Sequence, residues 1–231
     1  MRRSSVGLGG ALLAIAVTAS PAAGQIANQP VYISPKHGTG LSLALDFGKG
    51  LNDNSTKLNA YGGHVTLGLG FITVSAGAAS VSNANLTAGD SEISVGGTVQ
   101  VKVFDAPLAP VGVSIFGGFG TIDRGGGSIK SFPVGAAVAV KLPTPGLGIE
   151  LWAAPRLNIV NVESSGLGGG GTETDVGISG GVNLSLPTGL GIHVALDFVS
   201  VGDTDGDGSN DNPLILGVGA HYKFAIPGLG M

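Results

Sequence analysis

The sequence predicts an all-β fold, an antiparallel up-and-down transmembrane β-barrel of about ten strands. Stretches of about ten residues alternate apolar with small or polar side chains, and no helical period fits them. The clearest runs from Glu92 to Phe104: Ile93, Val95, Gly97, Val99, Val101 and Val103 share one face, and Glu92, Ser94, Gly96, Thr98, Gln100 and Lys102 the other. These stretches are joined in a regular rhythm of one long polar loop, then one short turn. Formal charge keeps to a single face of them.

After a non-periodic lead from Gln25 to Thr39 that contains Pro30 and Pro35, the first strand is expected from Gly40 to Gly48, with Leu41, Leu43, Leu45 and Phe47 on one face. The remaining strands are expected over 60–70, 71–80, 91–104, 111–122, 131–141, 149–160, 174–186, 191–200 and 213–225. Long connections rich in Gly, Asn, Asp and Ser follow the odd strands, as in Val81 to Asp90 and Val201 to Asn212. Short ones follow the even strands, as in Asp105 to Pro110, Leu142 to Gly148 and Pro187 to Leu190, where Gly and Pro reverse the chain. Pro155 lies inside the seventh strand, and since a closed barrel has no free edge, a bulge or register shift is expected there. If Pro155 or the lead segment misleads the count, the alternatives are eight or twelve strands.

With the apolar phase pointing outward, no outward strand position carries a formal charge. Asp46, Glu92, Lys102, Lys141, Glu150, Arg156, Asp175, Asp197 and Lys223 fall on the opposite face. A lipid-facing Lys or Arg at mid-bilayer costs about 2–4 kcal/mol, which accounts for the segregation. Aromatics form two girdles, with Phe47, Tyr61, Phe119, Phe132 and Phe198 near the loop ends and Phe71, Phe104, Tyr222 and Phe224 near the turn ends. By alternation Phe71 and Phe104 have ambiguous or inward phase, and Trp152 sits on the polar face.

Residues 1–24 read as a secretory signal: Arg2 and Arg3, an apolar core from Val6 to Val17, and a small-residue cleavage site at Ala22-Ala23-Gly24. No segment approaches the roughly 20 apolar residues of a helical span, so insertion must be by strands. The chain has no cysteine, and its stability must come from strand pairing and packing. Removing Arg2 and Arg3 leaves 9 of the 11 basic residues against 15 acidic ones, a net charge of −6, and no basic cluster survives, which argues against a nucleic-acid partner.

The last strand ends Val218-Gly219-Ala220-His221-Tyr222-Lys223-Phe224. It resembles the terminal assembly signal of outer-membrane β-barrel proteins, alternating hydrophobics that finish in Tyr-x-Phe, with Ala220, Tyr222 and Phe224 at the signal positions. The resemblance implies residence in a Gram-negative-type outer membrane, insertion by the barrel-assembly machinery, contact with outer-membrane lipid and lipopolysaccharide, and a monomer. Members of that class commonly stop at the aromatic, whereas this chain continues from Ala225 to Met231. The organisation expected is a signal at 1–24, a lead at 25–39, a barrel at 40–225 and a tail at 226–231.

Running the odd strands outward gives each inward charge a height. Asp46, His64, Glu92, Asp175 and Asp197 are expected near the outer rim of the lumen, and Lys102, Lys141, His193, His221 and Lys223 near the periplasmic rim; Glu150 is the exception. With loops carrying a net charge of −5, a water path would concentrate cations at its mouth. A polar interior is equally normal in a closed small barrel. Asp203, Asp205 and Asp207, with Asp211 close by, match the first half of a calcium loop, but position twelve is Leu214 where a bidentate Glu is required, so no cofactor is expected, a weakly bound Ca²⁺ being the alternative to a flexible acidic loop. The inward Asp46 and His64 resemble the His/Asp pair of omptins, ten-stranded outer-membrane proteases. None of that family's local motifs is present and the chain is shorter, so no catalytic residue is assigned. The expected function is a structural envelope component or a narrow cation-preferring pore. Alternatives are a loop-mediated adhesion or lipopolysaccharide-binding protein, and a rim-catalytic hydrolase.

Overall fold

Backbone N–H and C=O groups facing hydrocarbon have no water to bond, so a strand can cross a membrane only where both its edges are paired. A computed structural model of the chain describes residues 26–52, 58–82, 91–105, 110–124, 127–164, 170–201 and 212–224. It contains ten strands: β1 (Gly40–Gly50), β2 (Asn59–Gly68), β3 (Ile72–Ser82), β4 (Ser91–Asp105), β5 (Val111–Arg124), β6 (Gly127–Leu142), β7 (Gly148–Ser164), β8 (Gly171–Ser185), β9 (Leu190–Ser200) and β10 (Leu214–Phe224). Each pairs antiparallel with its neighbours in the chain. β1 then pairs with β10, from Leu41 opposite Phe224 to Gly50 opposite Ile215, which closes the sheet.

The outward phase follows the alternation. Leu45, Val99, Leu157, Leu196 and Val218 are exposed on the outer surface, while Ser75, Thr98, Gln100 and Ser114 are buried inside. Ring pairs Phe47–Tyr61, Phe119–Phe132 and Tyr222–Phe224, with centroids 5.0, 5.3 and 4.6 Å apart, stand on the outside near the strand ends. β6, β7 and β8 run further at the loop end than alternation predicts, because pairing continues after the outward residues turn polar. There Lys130 Nζ donates to Glu163 Oε1 at 2.6 Å.

The register at Pro155 departs from expectation. The β7–β8 ladder passes through Pro155 opposite Ile178 without a shift, and on the other side the β6–β7 partners skip two positions and resume in the same register. The missing N–H removes one bond towards β6 and leaves the geometry intact. Pro133 interrupts β5–β6 pairing in the same way. The register shift lies instead in β4, between Lys102 and Phe104. That extra residue turns Phe104 outward beside Val113, where it is 51% exposed, and aims Asp105 inward.

The core lies inside the barrel, and the lead segment supplies much of it. Ile26 and Ala27 cluster with Leu58, Ala60 (β2), Ala79 and Val81 (β3), Ile122 (β5), Ile129 (β6) and Val160 (β7) across the loop-end half of the bore. Lower down, Val31 and Ile33 pack against Phe116 (β5), Ala137 and Ala139 (β6), Trp152 and Ala154 (β7) and Ala195 (β9). Hydrogen bonds fix the path: Ala27 N to Ser94 Oγ, Asn28 Nδ2 to Leu58 O, Val31 N to Ser179 Oγ, and Ser34 Oγ to Glu150 Oε1. At the turn end Lys36 Nζ reaches Asp105 at 2.5 Å. Residues 26–38 therefore thread the bore from its loop end to its turn end before Gly40 opens β1. Thirteen extended residues reach about 43 Å, ample for that passage.

A buried ion pair braces the same interior. Arg156 sends Nη1 and Nη2 to the two oxygens of Asp197 at 2.8 and 2.9 Å, and Nε to Asn158 Oδ1 at 2.8 Å, with both charged side chains fully buried. Ser179, which accepts from the lead segment at Val31, donates to Asp197 and accepts from Arg156. Substituting Arg156→Ala strands the Asp197 carboxylate and is expected to cost about 3–5 kcal/mol in urea unfolding from lipid vesicles, with a large part recovered in the Arg156→Ala/Asp197→Ala double variant. On the outside, Val99→Lys is expected to cost about 2–4 kcal/mol in the same assay.

Candidate functional site

Beneath the lead segment's apolar residues the turn-end half of the bore holds a cavity of about 200 Å³. Its wall includes Thr73, Trp152, Ser185, His193, His221 and Lys223. Thr73 Oγ1 and Trp152 Nε1 are buried with no hydrogen-bond partner among the described residues.

Three histidines of this wall, His64, His193 and His221, come from three strands and are joined to a buried carboxylate behind it. Asp46 (β1) accepts from His64 Nδ1 (β2) at 2.6 Å and from His193 Nε2 (β9) at 2.8 Å. His193 Nδ1 lies 3.3 Å from His221 Nδ1 (β10), and His221 Nε2 lies 3.2 Å from Ser185 Oγ (β8). Two glycines permit these reaches. Gly219 lies between Asp46 and His193 in the pairing of β1, β10 and β9, and a Cβ on it would fall 2.3 Å from His193 Nε2. Gly191 lies between Ser185 and His221 across β8, β9 and β10, and a Cβ there would fall 2.3 Å from His221 Nε2. Tyr32 of the lead segment caps the group, stacked on His64 at 5.6 Å and edge-on to His193 at 4.7 Å.

With both rings neutral, one assignment of protons satisfies every contact. Asp46 needs a donor at His193 Nε2, which leaves His193 Nδ1 as an acceptor. His221 Nδ1 must then donate to it, which leaves His221 Nε2 to accept from the Ser185 hydroxyl. The chain of donors therefore runs in one direction, from Ser185 through His221 and His193 to the buried Asp46 carboxylate.

The inward residues expected at two opposite rims are placed differently. Asp46 and His64 do not stand apart from His193 and His221, because strands tilt in a barrel and residues at different sequence positions come level on adjacent strands. Asp197 is joined to Arg156 deeper in the bore. Glu92 and Asp175 are half-buried near the loop end, Asp175 opposite Asn158. Lys102 pairs with Asp105 at 3.1 Å, Lys141 lies opposite Glu150 in the ladder, and Lys223 Nζ donates to the His37 carbonyl. Ala220, Tyr222 and Phe224 face outward on β10. Asp203, Asp205, Asp207 and Asp211 lie outside the described residues, as do the signal and the tail. Ser185, Tyr32 and Trp152 carry no sequence signal for this site, since Ser185 reaches His221 only through the register of three strands.

The sequence matches no known protein family and no curated protein. The chain is similar to several solved structures. The β-domain of the Bordetella autotransporter BrkA superposes with a TM-score of 0.54 at 11% identity, covering 80% of this chain and 100% of that one. The translocator domain of the autotransporter NalP from Neisseria meningitidis gives 0.44 at 15% identity over 81% and 90% of the two chains. LpxR from Salmonella typhimurium gives 0.46 at 9% identity over 84% and 86%. The chain has the fold of the outer-membrane β-barrels.

Proposed function

We propose that this protein is a structural component of a Gram-negative outer membrane whose bore is closed by its own lead segment. In this reading the N-terminal signal exports it, the barrel-assembly machinery engages Ala220, Tyr222 and Phe224, and the finished monomer contacts outer-membrane lipid and lipopolysaccharide. The observation that carries the reading is the seating of residues 26–38. Val31 and Ile33 are 0% and 2% exposed and pack with inward residues of β5, β6, β7 and β9, which favours a filled bore over a water path. A narrow cation-preferring pore would need that path. An adhesive role would rest on loops such as 83–90 and 202–211, which lie outside the described residues.

The protein from residue 25 onward is expected to be silent in planar bilayers, and a variant lacking 26–38 to give discrete conductance steps. Steps from the intact protein would overturn the reading. Because the chain has no cysteine, Val31→Cys adds a single thiol. It is expected to resist a water-soluble methanethiosulfonate until the barrel is denatured.

A further inference from the structure

We infer that Ser185, His221, His193 and Asp46 form a serine-esterase site in the turn-end half of the bore that acts on small esters bearing an anionic group. The inference is independent of whether the bore conducts. Three observations carry it. The first is the one-way proton order, since it leaves His221 Nε2 as the base facing the Ser185 hydroxyl at 3.2 Å. The second is the anchor: Asp46 is a fully buried carboxylate that orients His193, which in turn orients His221. A serine is a weak nucleophile until a base takes its proton, and such a base needs a third group to fix its tautomer. The third is the adjoining cavity, where Thr73 Oγ1 and Trp152 Nε1, in residues 5% exposed, have hydrogen bonds to offer and no partner among the described residues.

The chemistry balances with water as the sole co-reactant. Ser185 Oγ bonds to the ester carbonyl carbon as its proton passes to His221 Nε2. The positive charge on that ring is shared along the Nδ1 contact with His193 and held by the Asp46 carboxylate. Collapse of the tetrahedral intermediate breaks the ester C–O bond, and the leaving alkoxide takes the proton from Nε2. Water then attacks the acyl-serine through the same base and releases the carboxylic acid. A cavity of about 200 Å³ limits the substrate to a short acyl group on a small alcohol. Lys36, Lys141 and Lys223 line the same cavity against one carboxylate, Glu150, and this excess of positive charge favours an anionic substituent. Ser185 and His221 are the catalytic residues, while His193 and Asp46 act as positioning residues.

Folded protein in detergent is treated with diisopropyl fluorophosphate, a probe small enough for the cavity, and the adduct is located by peptide mass spectrometry. The expected result is modification at Ser185, absent in Ser185→Ala and slowed about a hundredfold or more in His221→Ala. Each variant is first checked as a heat-modifiable band on gels. His193→Gln, which retains volume and a donor towards Asp46, tests positioning through the pH profile: the profile of the labelling rate should shift while the band persists. If His221→Ala does not fold, the pH profile of the intact protein decides alone. With 4-acetoxybenzoate and its neutral methyl ester as substrates, kcat/KM is expected to be about tenfold higher for the anion. A folded protein unlabelled at Ser185, labelling that survives loss of His221 unchanged, or a pH-independent rate overturns the assignment. Equal kcat/KM for the two esters overturns the substrate class.

Discussion

A strand in hydrocarbon must have both edges paired, and closing a sheet to meet that demand creates an interior whose size the strand number fixes. Ten strands leave more room than their own inward side chains fill here, since many of those side chains are Gly, Ala, Ser or Thr. The remaining volume must hold either water or protein. In this chain the loop-end half holds protein from the lead segment, so the first residues ahead of β1 complete the core that the barrel cannot complete alone. Val31 and Ile33 against Phe116 and Trp152 are conventional hydrophobic packing, and they lie where a soluble barrel would keep its core.

Filling the bore with chain also brings polar backbone into a dry space, and each group so buried needs a partner. The inward hydroxyls and amides supply them. Ser94 takes Ala27 N, Ser179 takes Val31 N, and Asn28 reaches Leu58 O. Ser179 is the junction between this demand and that of the buried charges, because it also bonds Arg156 and Asp197. A guanidinium with two carboxylate contacts, an amide and a hydroxyl is nearly saturated, which is the condition under which a buried ion pair is tolerable. The lead segment and the ion pair therefore hold each other in place, and neither is an isolated addition to the barrel.

Much of the barrel was legible in the sequence, because lipid imposes a rule that each strand obeys separately. Alternation, loop asymmetry and confinement of charge can each be read without knowledge of a neighbour, and so the strand count and the phase of Glu92 to Lys102 could be read directly. What depends on two or more strands at once was not legible. Alternation turned Phe104 inward, and only the shift opposite Val113 shows why it faces out. Pro155 raised the expectation of a bulge, yet a missing donor on one side of a strand can be absorbed by a short lapse in pairing. The lead segment carried no period to read, since an extended chain inside a barrel follows the shape of the bore. Its apolar residues, Ile26, Val31 and Ile33, were the available signal. The separation of Asp46 from His193 failed for a related reason: position along a strand measures height only if strands stand upright, and tilt brought the two side chains together.

The division of the interior into two halves follows from where the lead segment's sequence changes character. Through Ile33 its side chains are mostly apolar or amide and meet Ala, Val and Ile, so that half is packed. From Ser34 onward they are polar, and Ser34, Lys36 and His37 meet Glu150, Asp105 and Lys223. Charged side chains hold their heads apart and demand solvation or partners, which keeps this half from collapsing. The register shift in β4 serves the same end, since by aiming Asp105 inward it provides the carboxylate that anchors both Lys36 and Lys102. A cavity lined by hydroxyls, imidazoles and lysines thus lies under an apolar ceiling in the turn-end half of the bore. A low-dielectric ceiling strengthens the electrostatic contacts beneath it, and Asp46, buried and held by two imidazoles, is the group that benefits most.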